Sequence, residues 1–323
     1  MTDHDERSLG HIRTHRASPW PNRVALSTAA ATLVLIFVGG LVTNTGAGLA
    51  VPDWPTTFGH NMFLYPWSQM VGGIFYEHSH RLIGSLVGLL TVVMALVLWW
   101  KEPKGSARRL AMIAVGAVIV QGVLGGLRVI LTPTGSELAL IHGLLAHAFF
   151  ALIVSVTVLT SAEWKQRPRI PMMADDKAVP RLCLLTTGVI CLQILFGGML
   201  THIGDWIWAH LVCAALVAVA VCYLARHILR GHSNQAQFAR PVTLLLGLLG
   251  LQLLLGLGSY VNRFTSLEIP FAIVVRLALP TVHRITGALM LAACVVLTLR
   301  ACRIPATRRI GGDRELIADR VHV

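Results

Sequence analysis

The sequence predicts an all-α integral membrane protein. Its eight transmembrane helices are expected to form two tandem four-helix bundles, related as parallel repeats, with both termini cytoplasmic. Three observations carry this. Of 323 residues, 55% are hydrophobic and 13% charged, where soluble domains carry roughly 25% charged residues. Apolar runs long enough to cross a bilayer recur eight times. The basic residues gather on one side of those runs.

The spans follow in order. A helix rising about 1.5 Å per residue needs about 20 apolar residues to cross roughly 30 Å of hydrocarbon. Such runs lie at about 24–43, 82–100, 110–130, 138–160, 182–201, 207–225, 242–261 and 280–299. The tail 1–23 is polar and mixed in charge. It lacks the short apolar core and small-residue cleavage site of a signal peptide, so the first span is expected to stay attached. Residues 44–76 form a long outer loop rich in Gly, Pro and aromatics, suited to a lid or binding surface; a segment resting on the bilayer is the alternative. The second, third and fourth spans complete an N-terminal half over 24–162. A cytoplasmic linker, 163–181, leads to a C-terminal half over 182–302, and a cytoplasmic tail, 303–323, follows.

The formal net charge of +12 is a topology signal. Of the 27 Lys and Arg residues, all but Arg81, Arg128, Arg263, Arg276 and Arg284 fall in the tails, in the even-numbered connections or at their edges. Positively charged loops stay in the cytoplasm, so the even-numbered spans enter from the outer face. No nucleic-acid partner is implied; the bilayer is. Cys183, Cys191, Cys213, Cys222, Cys294 and Cys302 all lie in or beside spans, where cysteine acts as a small apolar residue.

Two patterns recur in the same sequence order. The first span ends in GGLVTNTG (39–46) and the fifth in GGMLTHIG (197–204); the third carries QGVLGGLRV (121–129) and the seventh QLLLGLGSYV (252–261). Glycines at such spacings let membrane helices approach closely. Their order also suggests four helices duplicated, and because four is even the halves share one orientation.

Each even-numbered span carries histidine near its outer end. The second opens with YEHSHRLIG, holding Glu77, His78, His80 and Arg81; the fourth carries His142 and His147, the sixth His210 and the eighth His283. Ionisable groups inside a membrane are costly and mark functional sites. Two facing histidines can each offer a ring nitrogen to haem iron, so the pattern predicts two porphyrin sites near the outer surface. Zinc, the competing metal, wants four tetrahedral ligands, usually with Cys or carboxylate among them. The halves differ: Glu77 stands three residues before His80, whereas Ile207 and Pro280 hold the matching places before His210 and His283. Arg81 and Arg284 are each suited to a porphyrin propionate; for Arg81, an i, i+4 pair with Glu77 is the plainer alternative. His78 is expected at the interface.

The EHSHR segment, the GGLVTNTGAGL…DWPTTFG loop, the HGLLAHAFF helix and the four-plus-four plan resemble the heme A synthase family over about residues 24–300. The resemblance implies an oxidoreductase that converts a methyl group of heme O to a formyl group, giving heme A for terminal oxidases. It implies that Glu77, His80, Arg81 and His142 form the site of heme O, the substrate, and that His210 and His283 hold haem b. It points to the heme O synthase (a farnesyltransferase) and cytochrome oxidase assembly as partners and, for a bacterial source, to the plasma membrane. Two departures stand out. Some members carry paired cysteines in the first outer loop; this loop has none, and Thr57 lies near one expected position. His142 and His147 stand about 140° apart on an ideal helix and cannot readily serve one iron; His142 fits the family pattern better, with His147 left as the alternative ligand. Two other classes compete: a two-haem membrane cytochrome exchanging electrons with quinone, and a parallel-repeat transporter, which would place ionisable groups nearer the bilayer midplane.

Overall fold

The computed structural model describes residues 18–131, 135–166, 178–265 and 272–303. Most of the expected tails and linker lies outside them. The helices are α1 (Trp20–Asn44), α2 (Gly73–Lys101), α3 (Ser106–Ile130), α4 (Gly135–Thr160), a short α5 (Ala162–Gln166), α6 (Ala178–His202), α7 (Ile207–Gly231), α8 (Ala236–Phe264) and α9 (Ala272–Ala301). All except α5 are long and apolar enough to cross a membrane. Helix is what hydrocarbon demands, because it satisfies every backbone group within the segment.

Each long helix runs past its apolar stretch at one end or both. The largest difference is at α2, which begins at Gly73, nine residues before the expected 82. The EHSHR segment is therefore helical, and the outer connection shortens from 44–76 to 45–72. Hydropathy marks where lipid begins; backbone hydrogen bonding marks where the helix begins.

The final glycines of the repeated motif end both helices that carry it. Gly46 and Gly204 have φ of 68° and 91°, a left-handed conformation that costs glycine little. At α1, Ala47 N donates to Val42 O and Gly46 N to Thr43 O, the pairing that closes a helix at a left-handed glycine.

Contacts arrange the long helices in two groups of four. In the first, α1 packs on α2 and α4, and α3 on α2 and α4; in the second, α6 packs on α7 and α9, and α8 on α7 and α9. The groups meet through α1–α9, α4–α9 and α4–α6. Apolar cores fill the inner half of each group. Met94, Leu98, Ile153 and Val156 are among the core residues of the first, and Leu224, Ile228, Leu245 and Leu297 of the second. Leu86, Leu89, Ile113, Val219 and Leu254 are exposed, as lipid-facing residues are. The eight tryptophans divide between the two ends: Trp54, Trp67, Trp206 and Trp208 at the outer end, Trp20, Trp99, Trp100 and Trp164 at the inner. Tryptophan prefers membrane interfaces, and the outer halves between them are left for polar side chains.

Candidate functional site

Two histidine pairs stand in those outer halves. His80 of α2 faces His142 of α4, with ring centroids 6.4 Å apart and planes at 76°. His210 of α7 faces His283 of α9 at 6.3 Å and 65°. A metal-bound ring nitrogen lies about 2 Å from its metal and about 1 Å from its own ring centre, so two imidazoles sharing one metal from opposite sides stand about 6 Å apart. The Nδ1 atoms of His80, His142 and His283 are buried without a hydrogen-bond partner. Buried polar atoms in that state call for an explanation, and a bound group that orients the rings supplies one. Among the described residues no group of three or more His, Cys, Asp or Glu side chains could hold a metal ion, so zinc has no tetrahedral set. A porphyrin brings its own four nitrogens and needs only two axial ligands, which each pair offers.

Each paired imidazole rests its Cε1 edge on a glycine of the preceding long helix. A Cβ on Gly39 would stand 3.0 Å from His80, on Gly125 3.5 Å from His142, on Gly197 3.2 Å from His210 and on Gly256 3.1 Å from His283. One turn before three of these glycines is a glutamine. Gln193 Nε2 lies 3.1 Å from His210 Nδ1, Gln252 Nε2 lies 3.3 Å from His283 Nε2, and Gln121 Nε2 donates to the His142 carbonyl at 3.2 Å. Leu35 holds the equivalent position before Gly39. The Gln-x-x-x-Gly spacing is visible in the sequence in all three helices, but what it faces is visible only in the fold.

The remaining histidines behave differently. His147 is buried and its Nδ1 contacts the Gly143 carbonyl of its own helix at 2.8 Å; it takes no part in either pair. His78, expected at the interface, is instead buried under the outer loop. Its Nδ1 meets the Thr57 hydroxyl at 3.2 Å, and its ring packs on Tyr65 with centroids 5.2 Å apart. Thr57 is fully buried.

Glu77 and Arg81 hold that loop down. Glu77 is 4% exposed; Oε2 accepts from Val51 N at 2.9 Å and Oε1 from Arg81 at 2.8 Å. Arg81 also donates to the carbonyls of Val51, Asp53 and Thr56 at 2.8 to 3.1 Å. The i, i+4 ion pair is thus present, and the rest of the guanidinium goes to loop backbone. Asp53 organises the turn itself, accepting from Phe58 N at 2.7 Å, Gly59 N at 2.9 Å and the Thr56 hydroxyl. Burial alone would raise its carboxyl; the bonds from Gly59, Thr56 and Phe58 outweigh burial and hold it below the ordinary aspartate value. The loop ends turn Val51, Thr57, Tyr65 and Met70 inward and leave Phe63, Leu64 and Trp67 exposed. In the second half only residues 203–206 separate α6 from α7, and Pro280 lies within α9 where Glu77 lies in α2.

Arg284 follows His283 and is half-buried, with Nη1 donating to Thr43 Oγ1 at 3.3 Å. The six cysteines are free, with Cys183, Cys213 and Cys294 buried.

The fold and these pairs define a multi-pass membrane protein with two facing histidine pairs in its outer half. The chain belongs to the COX15-CtaA family of cytochrome oxidase assembly proteins, whose model matches residues 22–209. The heme A synthase of Shouchella clausii is 30% identical over 154 residues, covering 47% of this chain and 50% of that protein. That of Brucella anthropi is 31% identical over 142 residues (42% and 38%), and that of Halalkalibacterium halodurans 29% over 173 (53% and 55%). The chain spans about half the length of the curated relatives it matches. His80 and His142 fall inside the family match; His210 is the first residue beyond it, and His283 lies well outside it.

Proposed function

We propose that the chain is a heme A synthase of the plasma membrane, an oxidoreductase converting a methyl substituent of heme O to a formyl group. The observation that carries this is the asymmetry between two otherwise matched histidine pairs. Among the described residues only the first has a buried carboxylate one turn from its histidine and a long loop pinned over it. A two-haem electron carrier would have no use for that difference.

His80 and His142 hold the heme O iron, with His147 serving its own helix. With water as the oxygen source the conversion is –CH3 + H2O → –CHO + 4 H+ + 4 e−, so protons must leave the site and an electron acceptor of the quinone class in the membrane must take the electrons. Glu77 is the carboxylate placed to receive the protons or to stabilise positive charge at the methyl carbon. The loop over 45–72 keeps bulk water out, which strengthens the electrostatics inside. His210 and His283 would hold haem b, with Arg284 toward a propionate, and haem b supplies one-electron chemistry when bound. A heme O synthase upstream and cytochrome oxidase assembly downstream are the partners this reading requires.

The test is haem extraction and mass analysis of the purified protein, produced with a supply of heme O. Heme A or hydroxylated heme O together with haem b is expected. Haem b alone, two per chain and indifferent to heme O, refutes the synthase. Glu77→Gln is expected to retain haem yet accumulate heme O or a hydroxylated form; normal heme A output from it removes Glu77 from the chemistry.

A further inference from the structure

A porphyrin of this class carries two carboxylates on one edge, and the structure leaves Arg81 unable to meet them. Its two terminal nitrogens already donate four hydrogen bonds, to Glu77 and to three loop carbonyls. A guanidinium has five N–H groups, so only the Nε donor is left.

Arg128, near the outer end of α3, is in the opposite condition. It is half-buried, and among the described residues its side chain makes no ion pair or hydrogen bond. The loop closes directly over it. A Cβ on Gly48 would stand 2.3 Å from Arg128 Nη2, 2.8 Å from Cζ and 2.9 Å from Nη1, so the guanidinium is pressed against backbone that only glycine leaves open. Two residues earlier, Gly126 receives the Trp54 indole, whose nearest atoms lie 2.3 to 2.6 Å from the Cβ position. Three residues before Arg128 on the same helix, Gly125 faces the His142 ring, so Arg128 stands about one turn from the first pair, toward the outer end. A half-buried guanidinium with no ion-paired or hydrogen-bonded anion among the described residues, held beside a site for a dianionic ligand, is matched by a carboxylate.

We infer that Arg128 binds a carboxylate of the porphyrin held by His80 and His142, and so sets which edge of the macrocycle meets Glu77. This rests on the porphyrin reading of that pair. Arg81 then closes the loop, Arg128 orients the ligand beneath it, and the ligand's carboxylate edge lies toward α3.

The experiment titrates the purified full-length protein with iron protoporphyrin IX and with its dimethyl ester, whose carboxylates are blocked. The bis-histidine absorption removed by His80→Ala reports the first pair; that removed by His210→Ala reports the second. Wild type is expected to bind the free acid at the first pair at least about tenfold more tightly than the ester, as a charge-assisted contact allows. Arg128→Gln is expected to bring the two ligands within about twofold, with ester binding unchanged, while Arg128→Lys keeps part of the preference as a point charge. An unchanged second-pair signal marks a folded chain. If Arg128→Gln keeps the full preference, the assignment is overturned and the histidine pair stands. If His80→Ala removes no signal, the porphyrin reading falls and the assignment with it.

Discussion

Gly39→Ala and Gly256→Ala are expected to loosen the histidines they face, while Gly125→Ala is expected to be tolerated. The added Cβ would stand 3.0 Å from His80 Cε1 at Gly39 and 3.1 Å from His283 Cε1 at Gly256, tighter than ordinary contact. At Gly125 it would stand 3.5 Å from His142 Cε1, within ordinary contact. The crowded rings have little room to retreat, since each must keep its place opposite its partner. Overpacking of this kind costs about 1–3 kcal/mol. At about 1.4 kcal/mol per tenfold, the porphyrin at the affected pair should be held between about fivefold and a hundredfold less tightly. Gly125→Ala adds a better helix former, by up to about 1 kcal/mol, and should stay within about twofold of wild type. The assay is a porphyrin titration of each pair, with the unmutated pair as internal reference. Equal loss in Gly125→Ala and Gly39→Ala would refute the steric account, as would full affinity in Gly256→Ala.

Three further outcomes follow from the same contacts. Glu77→Ala removes the acceptor for both Val51 N and Arg81; losing one partner of a buried pair costs about 3–5 kcal/mol, so amide exchange across 48–58 should speed up, whereas Glu77→Gln, which keeps an acceptor oxygen, should preserve protection. His142→Ala should abolish porphyrin binding at the first pair, while His147→Ala should keep it and lower thermal stability by about 1–3 kcal/mol through a lost hydrogen bond and a small cavity; loss of binding in His147→Ala would reverse the choice of ligand. The Asp53 carboxyl is depressed in the folded loop, so its contribution is present above the ordinary aspartate value of 3.8 and is lost as pH falls through the lower folded value. Limited proteolysis at the loop should therefore accelerate only on strong acidification, and Asp53→Asn should flatten that dependence.

Most of the fold was legible because membrane helices write themselves in hydropathy, and the depth of each histidine could be read from the positive loops. The pairings were largely legible too, since histidines near the outer end of every even-numbered span on a repeated scaffold leave few facing partners; the second and fourth spans each offered two, and the fold brings His80 and His142 together. What hydropathy concealed was the start of α2: residues 73–81 are too polar to count as a span, yet the helix continues through them because the outer loop covers Glu77, His78 and Arg81. His78 was misjudged for the same reason, its cover being Thr57 and Tyr65 from the loop. Arg128 looked like one of five basic residues on the outer side. Its significance depends on Gly48, eighty residues away in sequence, and no local pattern joins them.

The repeated motif shows how duplicated segments come to serve different ends. In both halves its first glycine makes room for a histidine and its last glycine ends the helix. Between those fixed points, Thr43 and Asn44 correspond to Thr201 and His202. Asn44 Nδ2 donates to Thr281 Oγ1 at 2.8 Å, Thr43 accepts from Arg284, and a Cβ on Gly40 would stand 3.0 Å from Thr281. The end of α1 is therefore tied to the turn of α9 that carries His283. In exchange, His202 of α6 comes to rest near Gly143, beside His142, with Nε2 3.9 Å from the Cβ position. Each leading helix thus leans on the histidine helix of the other half, by hydrogen bonds in one direction and by van der Waals contact in the other. The inequality has a physical cause: the residue after the histidine is arginine in α9 and glycine in α4. The second pair is braced by the first half through hydrogen bonds, whereas the first pair meets the second half through van der Waals contact and takes its polar cover from its own outer loop.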